Sequence, residues 1–424
     1  MSRANRELRG HIRSHARGLS AVAMASVLGV IAAFVFQIVS ARYLAPAEFG
    51  LLAAFLNIIS VAAVGSSSLQ NIVTVQTAAA LGAAPAQPAD PDRPSRGRKV
   101  PWEAIIMGGV GGAALAALSP LIAGALDTTA VVVLAAAACI PLSFIFADAL
   151  GLLQGSGDVA RAVWWSTISL VSRILLLVLA IALGFGIGGV IGSVVVATGL
   201  SVVGAVWSAR RVARPSGGAF TVDGLTIVLL TVAFAWLTAS DVIFLRAGAE
   251  ESVAGSYAAV AVLVKAGFLV PSTLSLYLLP RFVRARDNPR LARIGVLATL
   301  GLSIATSLAM VLLFLIAGPW IIHLLYGTAY AGASALLVPV ALAYTPWMAA
   351  QGMLIKMTST ASRGAAAVLI GAVLVQWVAF QLVVPDITAM LGWFAGIGVV
   401  TLGAFLLLDG IRSRRLAAAE GMTS

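Results

Sequence analysis

Two basic residues lie deep inside long apolar segments of the chain. Arg173 is about 13 residues into the apolar run that starts near residue 160, and Lys265 is about 10 residues into the run that starts near residue 254. At about 1.5 Å per residue of helix, both would lie near the middle of a bilayer. A charge there costs several kcal/mol unless it faces a cavity or a partner. Because guanidinium and ammonium groups bind phosphates well, both bases are candidate binding residues for an anionic substrate such as a phosphate or diphosphate.

A structural ion pair is the alternative interpretation of these bases, with Asp148 or Asp241 as the partner. Both acids are nearer the ends of their apolar runs than the bases are. Asp241, in the segment TASDVIFLR, is a candidate gating residue, and a pair with Arg246 is the other role considered for it.

Polar residues also interrupt the first two apolar runs. They are Gln37, Asn57, Gln70 and Asn71. Such side chains are expected to line a cavity that accepts sugars, and hydrogen bonding between helices is an equally good explanation. We include Gln37, Gln70 and Asn71 among the candidate substrate-binding residues.

The sequence shows no catalytic constellation and no metal site. It has no Walker loop, no HExxH pair and no plausible set of Ser, His and Asp, and the glycine-rich stretch at residues 184–189 follows an apolar run instead of a strand. The histidines are His11, His15 and His323, which are too dispersed to bind a metal together, and Cys139 is the single cysteine. We therefore expect neither enzymatic activity nor a cofactor.

Composition indicates which elements must position these residues. Of the 424 residues, 60% are hydrophobic and 10% are charged, and the mean hydropathy is +1.03. The apolar runs are about 20 residues or longer, which suits membrane-spanning helices and is twice what a barrel strand needs. Twelve transmembrane helices are predicted, at residues 18–40, 50–78, 102–125, 129–152, 160–183, 187–208, 224–245, 254–279, 292–316, 332–354, 365–384 and 388–408.

Charge distribution predicts the orientation of these helices. If the N-terminus is cytoplasmic, 23 of the 27 basic residues fall in the tails and loops on the cytoplasmic side. The sequence therefore predicts a multi-pass protein of the bacterial cytoplasmic (inner) membrane with both termini inside. The same bias explains the net charge of +11, so a nucleic-acid partner is not expected.

The predicted helices form two similar halves. Arg42, Glu48 and Gly50 in the first half match Arg246, Glu250 and Gly255 in the second. Six helices per half, an even number, imply a parallel repeat. The predicted division is a basic cytoplasmic tail at 1–17, an N-terminal six-helix lobe at 18–208 with a flexible loop at 83–101, a basic linker at 209–223, a C-terminal six-helix lobe at 224–408 and a cytoplasmic tail at 409–424.

Several segments, taken in order, resemble those of a known family. SARYLAPAEFGLLAAFL at residues 40–56 resembles the N-terminal signature of polysaccharide flippases of the O-antigen and teichoic type. Similar segments follow in place: GLLQG at 151–155, DVIFLR at 241–246, the stretch 254–282 and HLLYGTAYAGASALL at 323–337. The resemblance covers nearly the whole chain, although each segment alone is degenerate.

This resemblance implies membership of the multidrug, oligosaccharidyl-lipid and polysaccharide exporter superfamily. Its members have two six-helix lobes around a cationic cavity and move polyprenyl-diphosphate-linked sugars from the inner to the outer leaflet. On this basis Arg42 matches the family's arginine at the end of helix one, and Lys265 lies where relatives often have a cavity base. No family motif matches Arg173. The implied partners are the lipid-linked oligosaccharide and the lipid bilayer, with glycosyltransferases or a polymerase of the same pathway as candidates.

Three alternatives to the flippase remain open. A drug or cation antiporter of the same superfamily should have deep acidic residues, whereas the deep charges here are basic. A major-facilitator carrier should have a short charged loop between helices two and three, where this chain has a long Pro-rich segment. A non-transporting scaffold that recruits glycan enzymes is the third. A lipid II flippase usually has two further helices, which argues against a peptidoglycan precursor as the substrate.

Overall fold

A computed structural model of the protein describes residues 24–82, 100–212, 214, 222–269 and 289–421. Within these residues every regular element is helical and no strand occurs. The prediction of an all-α protein is thereby confirmed. The predicted N-terminal tail, most of the loop at 83–101 and most of the linker at 209–223 lie outside the described residues.

Thirteen α-helices, numbered here in chain order, make up the described part of the chain. They are α1 (Met24–Tyr43), α2 (Pro46–Gly82), α3 (Trp102–Ala117), α4 (Ser119–Ala125), α5 (Ala130–Gly155), α6 (Val159–Ala182), α7 (Gly186–Ala209), α8 (Val222–Gly248), α9 (Glu251–Lys265), α10 (Pro289–Tyr326), α11 (Leu337–Ser359), α12 (Arg363–Val383) and α13 (Ile387–Gly421). Short 3₁₀ segments, Ala266–Phe268 and Thr328–Leu336, follow α9 and α10.

The lengths and composition of these helices are those of membrane spans. Ten helices of the described part are long and apolar enough to cross a bilayer, and the number is eleven if α3 and α4, which meet at a bend of 58°, are counted together as one span. The bend falls at Leu118 because Pro120 lacks the backbone N–H that a continuous helix would use. The predicted eighth span begins as α9, and its residues beyond 269 are not described. A polytopic helical membrane protein with about twelve spans is therefore confirmed.

Contacts divide the chain into two compact units. Unit 1 contains residues up to Tyr43, Gly65–Ala123 and Thr129–Ala219, and unit 2 contains Leu44–Val64, Gly124–Thr128 and the chain from Phe220 onward. The first part of α2 thus packs with unit 2. The lobe limits predicted from the sequence stay a prediction, and each unit is described separately.

Small residues allow the helices of unit 1 to pack closely. A Cβ added at Gly108 would lie 2.6 Å from the Cα of Pro141, and one at Gly112 would lie 2.8 Å from the carbonyl oxygen of Ala137. Helices α3 and α5 therefore meet backbone to backbone, as is common where helices pack in a membrane.

Each unit contains an ion pair that joins two of its helical segments. In unit 1 Arg214, which follows α7, donates to both carboxylate oxygens of Asp148 on α5, at 2.8 and 2.6 Å. In unit 2 Lys356 on α11 donates to Asp409 on α13 at 2.7 Å. Asp148 and Lys356 lie on corresponding helices of the two predicted halves, and their partners lie on or after the sixth helix of each half. The charges are reversed between the two pairs, which agrees with a structural repeat.

We expect Arg214→Gln to lower the apparent unfolding temperature in detergent. The Asp148 side chain is 5% exposed and that of Arg214 is 17% exposed, so the substitution leaves a buried carboxylate without its counter-ion, at a cost of about 3 kcal/mol. The double variant Asp148→Asn with Arg214→Gln should recover most of the loss. Equal losses in the single and double variants would contradict this account.

Candidate functional site

A cavity of about 330 Å³, lined by both apolar and polar side chains, lies inside unit 2. It is bounded by the first part of α2 and by α8, α9 and α11. Its polar lining consists of Asn57, Ser60, Thr231, Thr238, Lys265 and Gln351. Of the described residues that line it, Lys265 is the only charged one.

Asp241, which α8 places behind this cavity, is fully buried. Its Oδ2 accepts a hydrogen bond of 2.7 Å from the hydroxyl of Tyr257 on α9 and another, shorter one from the hydroxyl of Tyr344 on α11. Its Oδ1 accepts from the ammonium of Lys265 at 3.4 Å. Three helices therefore converge on one carboxylate, and hydrogen bonds satisfy the polar group that folding removes from solvent.

Lys265 reaches the cavity from the last turn of α9. It is eight residues after Tyr257, so the two side chains lie on the same side of the helix, about 80° apart around its axis. The ammonium donates to Oδ1 of Asn57 at 3.0 Å, which is shorter than its contact with Asp241, and it lies 5.9 Å from the centre of the Tyr344 ring. Helix α2 thus contributes Asn57 to the site.

The arrangement leaves Lys265 able to bind a ligand. An ammonium group has three donors, and two of them are used by Asn57 and Asp241. The side chain is 24% exposed, whereas Asp241 has no exposed surface. A ligand in the cavity can therefore contact the base directly but not the acid, which favours an anionic ligand or one rich in hydrogen-bond acceptors.

The contact between Lys265 and Asp241 is the one that the ion-pair interpretation of Lys265 requires. Asp241 does not pair with Arg246. Arg246 instead donates to Glu251 at 2.6 Å. Residues five apart on a helix point to different faces, which is why Asp241 and Arg246 do not meet. A gating role for Asp241 remains a prediction.

Arg173 belongs to unit 1, where it extends from α6 toward α7. Its Nη2 donates to the hydroxyl of Thr198 at a long 3.4 Å, and its buried Nε has no hydrogen-bond partner among the described residues. The pair with Asp148 that the sequence left open does not form, because Asp148 binds Arg214. A buried Nε without a hydrogen-bond partner is costly, so a functional role stays a prediction with physical support.

We expect Arg173→Met to leave the unfolding temperature unchanged or raise it, because methionine fills a similar volume without an unsatisfied donor. If Arg173 binds substrate, transport should fall at the same time. Thermal unfolding and transport measured on one preparation separate the two effects. A loss of stability would instead identify Arg173 as a structural residue.

The other predicted binding residues lie in unit 1 and outside the cavity around Lys265. Gln37 on α1 and Gln70 on α2 are half-buried, whereas Arg42 at the end of α1 and Asn71 on α2 are exposed. Their roles in binding substrate remain predictions.

Sequence reasoning missed Tyr257 and Tyr344. Tyrosine combines an apolar ring with one polar tip, so it suits a site where a buried acid must be satisfied within hydrocarbon. Tyr257 is eight residues before Lys265, and this spacing could have indicated it. No local pattern could have indicated Tyr344, which is 103 residues from Asp241 along the chain.

The described residues contain no group of three or more His, Cys, Asp or Glu side chains able to hold a metal ion.

Residues 15–286, nearly two thirds of the chain, match the family model described as polysaccharide biosynthesis protein. The chain belongs to this family. The resemblance inferred from the sequence is thereby confirmed. Among curated proteins, none matches the chain.

Solved structures share the fold of this polysaccharide biosynthesis protein at low sequence identity. An inward-facing multidrug resistance MATE transporter of the MOP superfamily is 14% identical, with a TM-score of 0.67 over 93% of this chain and 96% of that one. The lipid II flippase MurJ in an inward closed conformation is also 14% identical, with a TM-score of 0.61 over 96% and 92%.

A MOP superfamily transporter from Pyrococcus furiosus, for which a binding pocket of reverse polarity is described, is 15% identical, with a TM-score of 0.53 over 94% and 96% of the two chains. Together these structures show that the protein has the fold of MOP superfamily transporters and flippases.

Proposed function

We propose that the protein is a flippase that moves a polyprenyl-(di)phosphate-linked oligosaccharide from the cytoplasmic to the outer leaflet for the synthesis of a cell-surface polysaccharide. The observation that carries the proposal is the partly exposed side chain of Lys265 in a cavity whose other described lining residues are neutral. Membership of the polysaccharide biosynthesis family supports the same substrate class.

The cavity suits the polar head of such a lipid. A phosphate oxygen can accept from Lys265, and the hydroxyl and amide groups of Ser60, Thr238 and Gln351 can hydrogen-bond a sugar. Charge neutralisation is needed because a diphosphate cannot enter the hydrocarbon region uncompensated. The polyprenyl tail, which is as apolar as lipid, stays in the bilayer while alternating access exposes the head group to the outside.

A drug or cation antiporter would need a carboxylate that a cation in the cavity can reach. Asp241 is fully buried, and its oxygens accept from Tyr257, Tyr344 and Lys265. This arrangement supports the flippase over the antiporter.

The test is the lipid-linked oligosaccharide pool in a strain that lacks the gene, with sugar exposure measured by a membrane-impermeant glycan-modifying reagent. We expect the sugar to accumulate in a form that the reagent cannot reach, and wild type to restore its exposure. Purified protein in liposomes loaded with the same lipid should transfer the head group without any other protein. An unchanged pool together with no transfer in liposomes would reject the flippase.

Transfer in liposomes also separates transport from recruitment. A scaffold for glycan enzymes would restore polysaccharide synthesis in cells while moving no lipid in liposomes. A flippase must restore polysaccharide synthesis in cells and also move the lipid in liposomes. Glycosyltransferases or a polymerase of the same pathway remain proposed partners, and co-purification from cells would identify them.

A further inference from the structure

We infer that Asp241 is an internal competitor for the substrate's anionic group: it neutralises Lys265 when the cavity is empty and releases it when a multiply charged phosphate arrives. The inference rests on the proposed function and deepens it, because it assigns the selection among anions to a residue that no ligand in the cavity touches.

The first step is the unequal way in which Asp241 is satisfied. Its Oδ2 is 2.7 Å from the hydroxyl oxygen of Tyr257 and also accepts from Tyr344, whereas its Oδ1 is 3.4 Å from the ammonium of Lys265. Charge-assisted N–H to O bonds are usually about 2.7–2.9 Å long. Both tyrosines therefore hold the carboxylate firmly, and the lysine is held loosely.

The second step is that Lys265 can move away from Asp241 while the carboxylate keeps hydrogen-bond partners. If the ammonium turns toward a ligand, Asp241 keeps two phenolic hydrogen bonds, which reduce the cost of a buried carboxylate. Asn57, which accepts from the same ammonium at 3.0 Å, keeps the lysine beside the cavity during this exchange. The site thus provides a place for each charge before and after the ligand binds.

The third step is the side from which a ligand approaches. Lys265 is 24% exposed to the cavity and Asp241 is not exposed at all, so an incoming anion meets the base first. To displace the carboxylate it must offer Lys265 a stronger interaction than Oδ1 does at 3.4 Å. A diphosphate, with several oxygens and more than one negative charge, does so, whereas chloride or another singly charged anion gains little. Asp241 is on this basis a specificity-determining residue.

The test measures binding of inorganic pyrophosphate to the full chain in detergent by titration calorimetry. Asp241→Asn keeps the size of the side chain and an acceptor oxygen but removes the competing charge. We expect it to bind pyrophosphate at least about tenfold more tightly than wild type, equivalent to about 1.4 kcal/mol. Chloride should also compete measurably in this variant and not in wild type.

Tyr257→Phe and Tyr344→Phe are expected to change the affinity for pyrophosphate in the opposite direction from Asp241→Asn. Each removes one donor from Oδ2, so the carboxylate depends more on Lys265 and pyrophosphate should bind severalfold more weakly. A merely structural site would be disturbed in the same direction by all three substitutions. Opposite signs therefore distinguish competition from general damage.

The matched control is Asp409→Asn. Asp409 pairs with Lys356 in the same unit, with side chains 16% and 14% exposed, and neither residue lines the cavity. Freeing this second lysine should leave pyrophosphate binding unchanged. Adding Lys265→Ala to Asp241→Asn should remove the gain in affinity, because the gain acts through Lys265.

Three results would overturn the inference: Asp241→Asn binds pyrophosphate no more tightly than wild type, the aspartate and tyrosine variants shift affinity in the same direction, or no variant binds pyrophosphate. Failure of the proposed function looks different. Suppose that the wild-type protein transfers no lipid-linked oligosaccharide in liposomes but Asp241→Asn still binds pyrophosphate more tightly. That result would reject the proposed substrate and would support competition between Asp241 and the anion for Lys265.

Discussion

Lys265→Ala is expected to reduce transfer of lipid-linked oligosaccharide in liposomes by about 100-fold or more, the largest functional effect predicted for a single side chain of this protein. The substitution removes the only charge among the described residues that line the cavity. A phosphate that enters then meets only neutral groups in a low-dielectric setting, where uncompensated charge is most costly. Folding should tolerate the change because Asp241 retains its bonds to Tyr257 and Tyr344.

The control for this prediction is Lys356→Ala, which removes a lysine of similar burial whose partner is Asp409. It breaks an ion pair of the same kind outside the cavity, so it should reduce stability but leave the transport rate per folded molecule close to wild type. Lys265→Arg should retain part of the activity because it keeps the charge. Normal transport by Lys265→Ala would remove the role proposed for the cavity base.

The spans could be predicted from the sequence because hydropathy is a local property. Helix α6, Val159–Ala182, was predicted at 160–183, and α12, Arg363–Val383, at 365–384. A continuous helix was predicted at 102–125, where the structure has a bend between α3 and α4. The average hydropathy of a sequence window does not reveal a bend. Ser119 and Pro120 are the residues whose types indicate it.

The site was predictable only in part. The depth of Lys265 follows from its position in an apolar run, so the base itself could be identified. Its neighbours could not, because a contact between helices depends on how each helix is rotated about its axis. Asn57 is 208 residues from Lys265 along the chain, and Asp241 is 24 residues away on another helix. Asp241 and Arg246 are five residues apart on one helix, so helix geometry already argues against the pair considered for them.

The glycines that define the predicted repeat also lie against each other in unit 2. Gly50, in the first turns of α2, and Gly255, in the first turns of α9, were matched from the sequence alone. A Cβ built on Gly50 would lie 3.0 Å from the backbone nitrogen of Gly255. Beside them Phe49, Tyr326 and Tyr330 form a buried aromatic cluster, with ring centres 5.5 to 6.3 Å apart. The two helix starts are thus packed backbone against backbone.

Gly255→Ala should therefore be more destabilising than Gly50→Ala or Gly371→Ala. The new Cβ would lie 1.7 Å from the carbonyl oxygen of Pro46 and 2.4 Å from its carbonyl carbon. These are backbone atoms, so relief requires the start of α2 to move, at a cost of about 3 kcal/mol. We expect the apparent unfolding temperature in detergent to fall by several degrees.

A graded series makes this prediction specific. Gly50→Ala meets its nearest backbone atom at 3.0 Å and should cost less than Gly255→Ala. Gly371→Ala, inside α12 with no atom within 4 Å of the added Cβ, should be neutral or stabilising because alanine favours helix by up to about 1 kcal/mol. The unfolding temperatures should thus follow the order Gly255→Ala, Gly50→Ala, Gly371→Ala from lowest to highest. Equal values for the first and the last would mean that the contact between α2 and α9 is not close-packed in the protein.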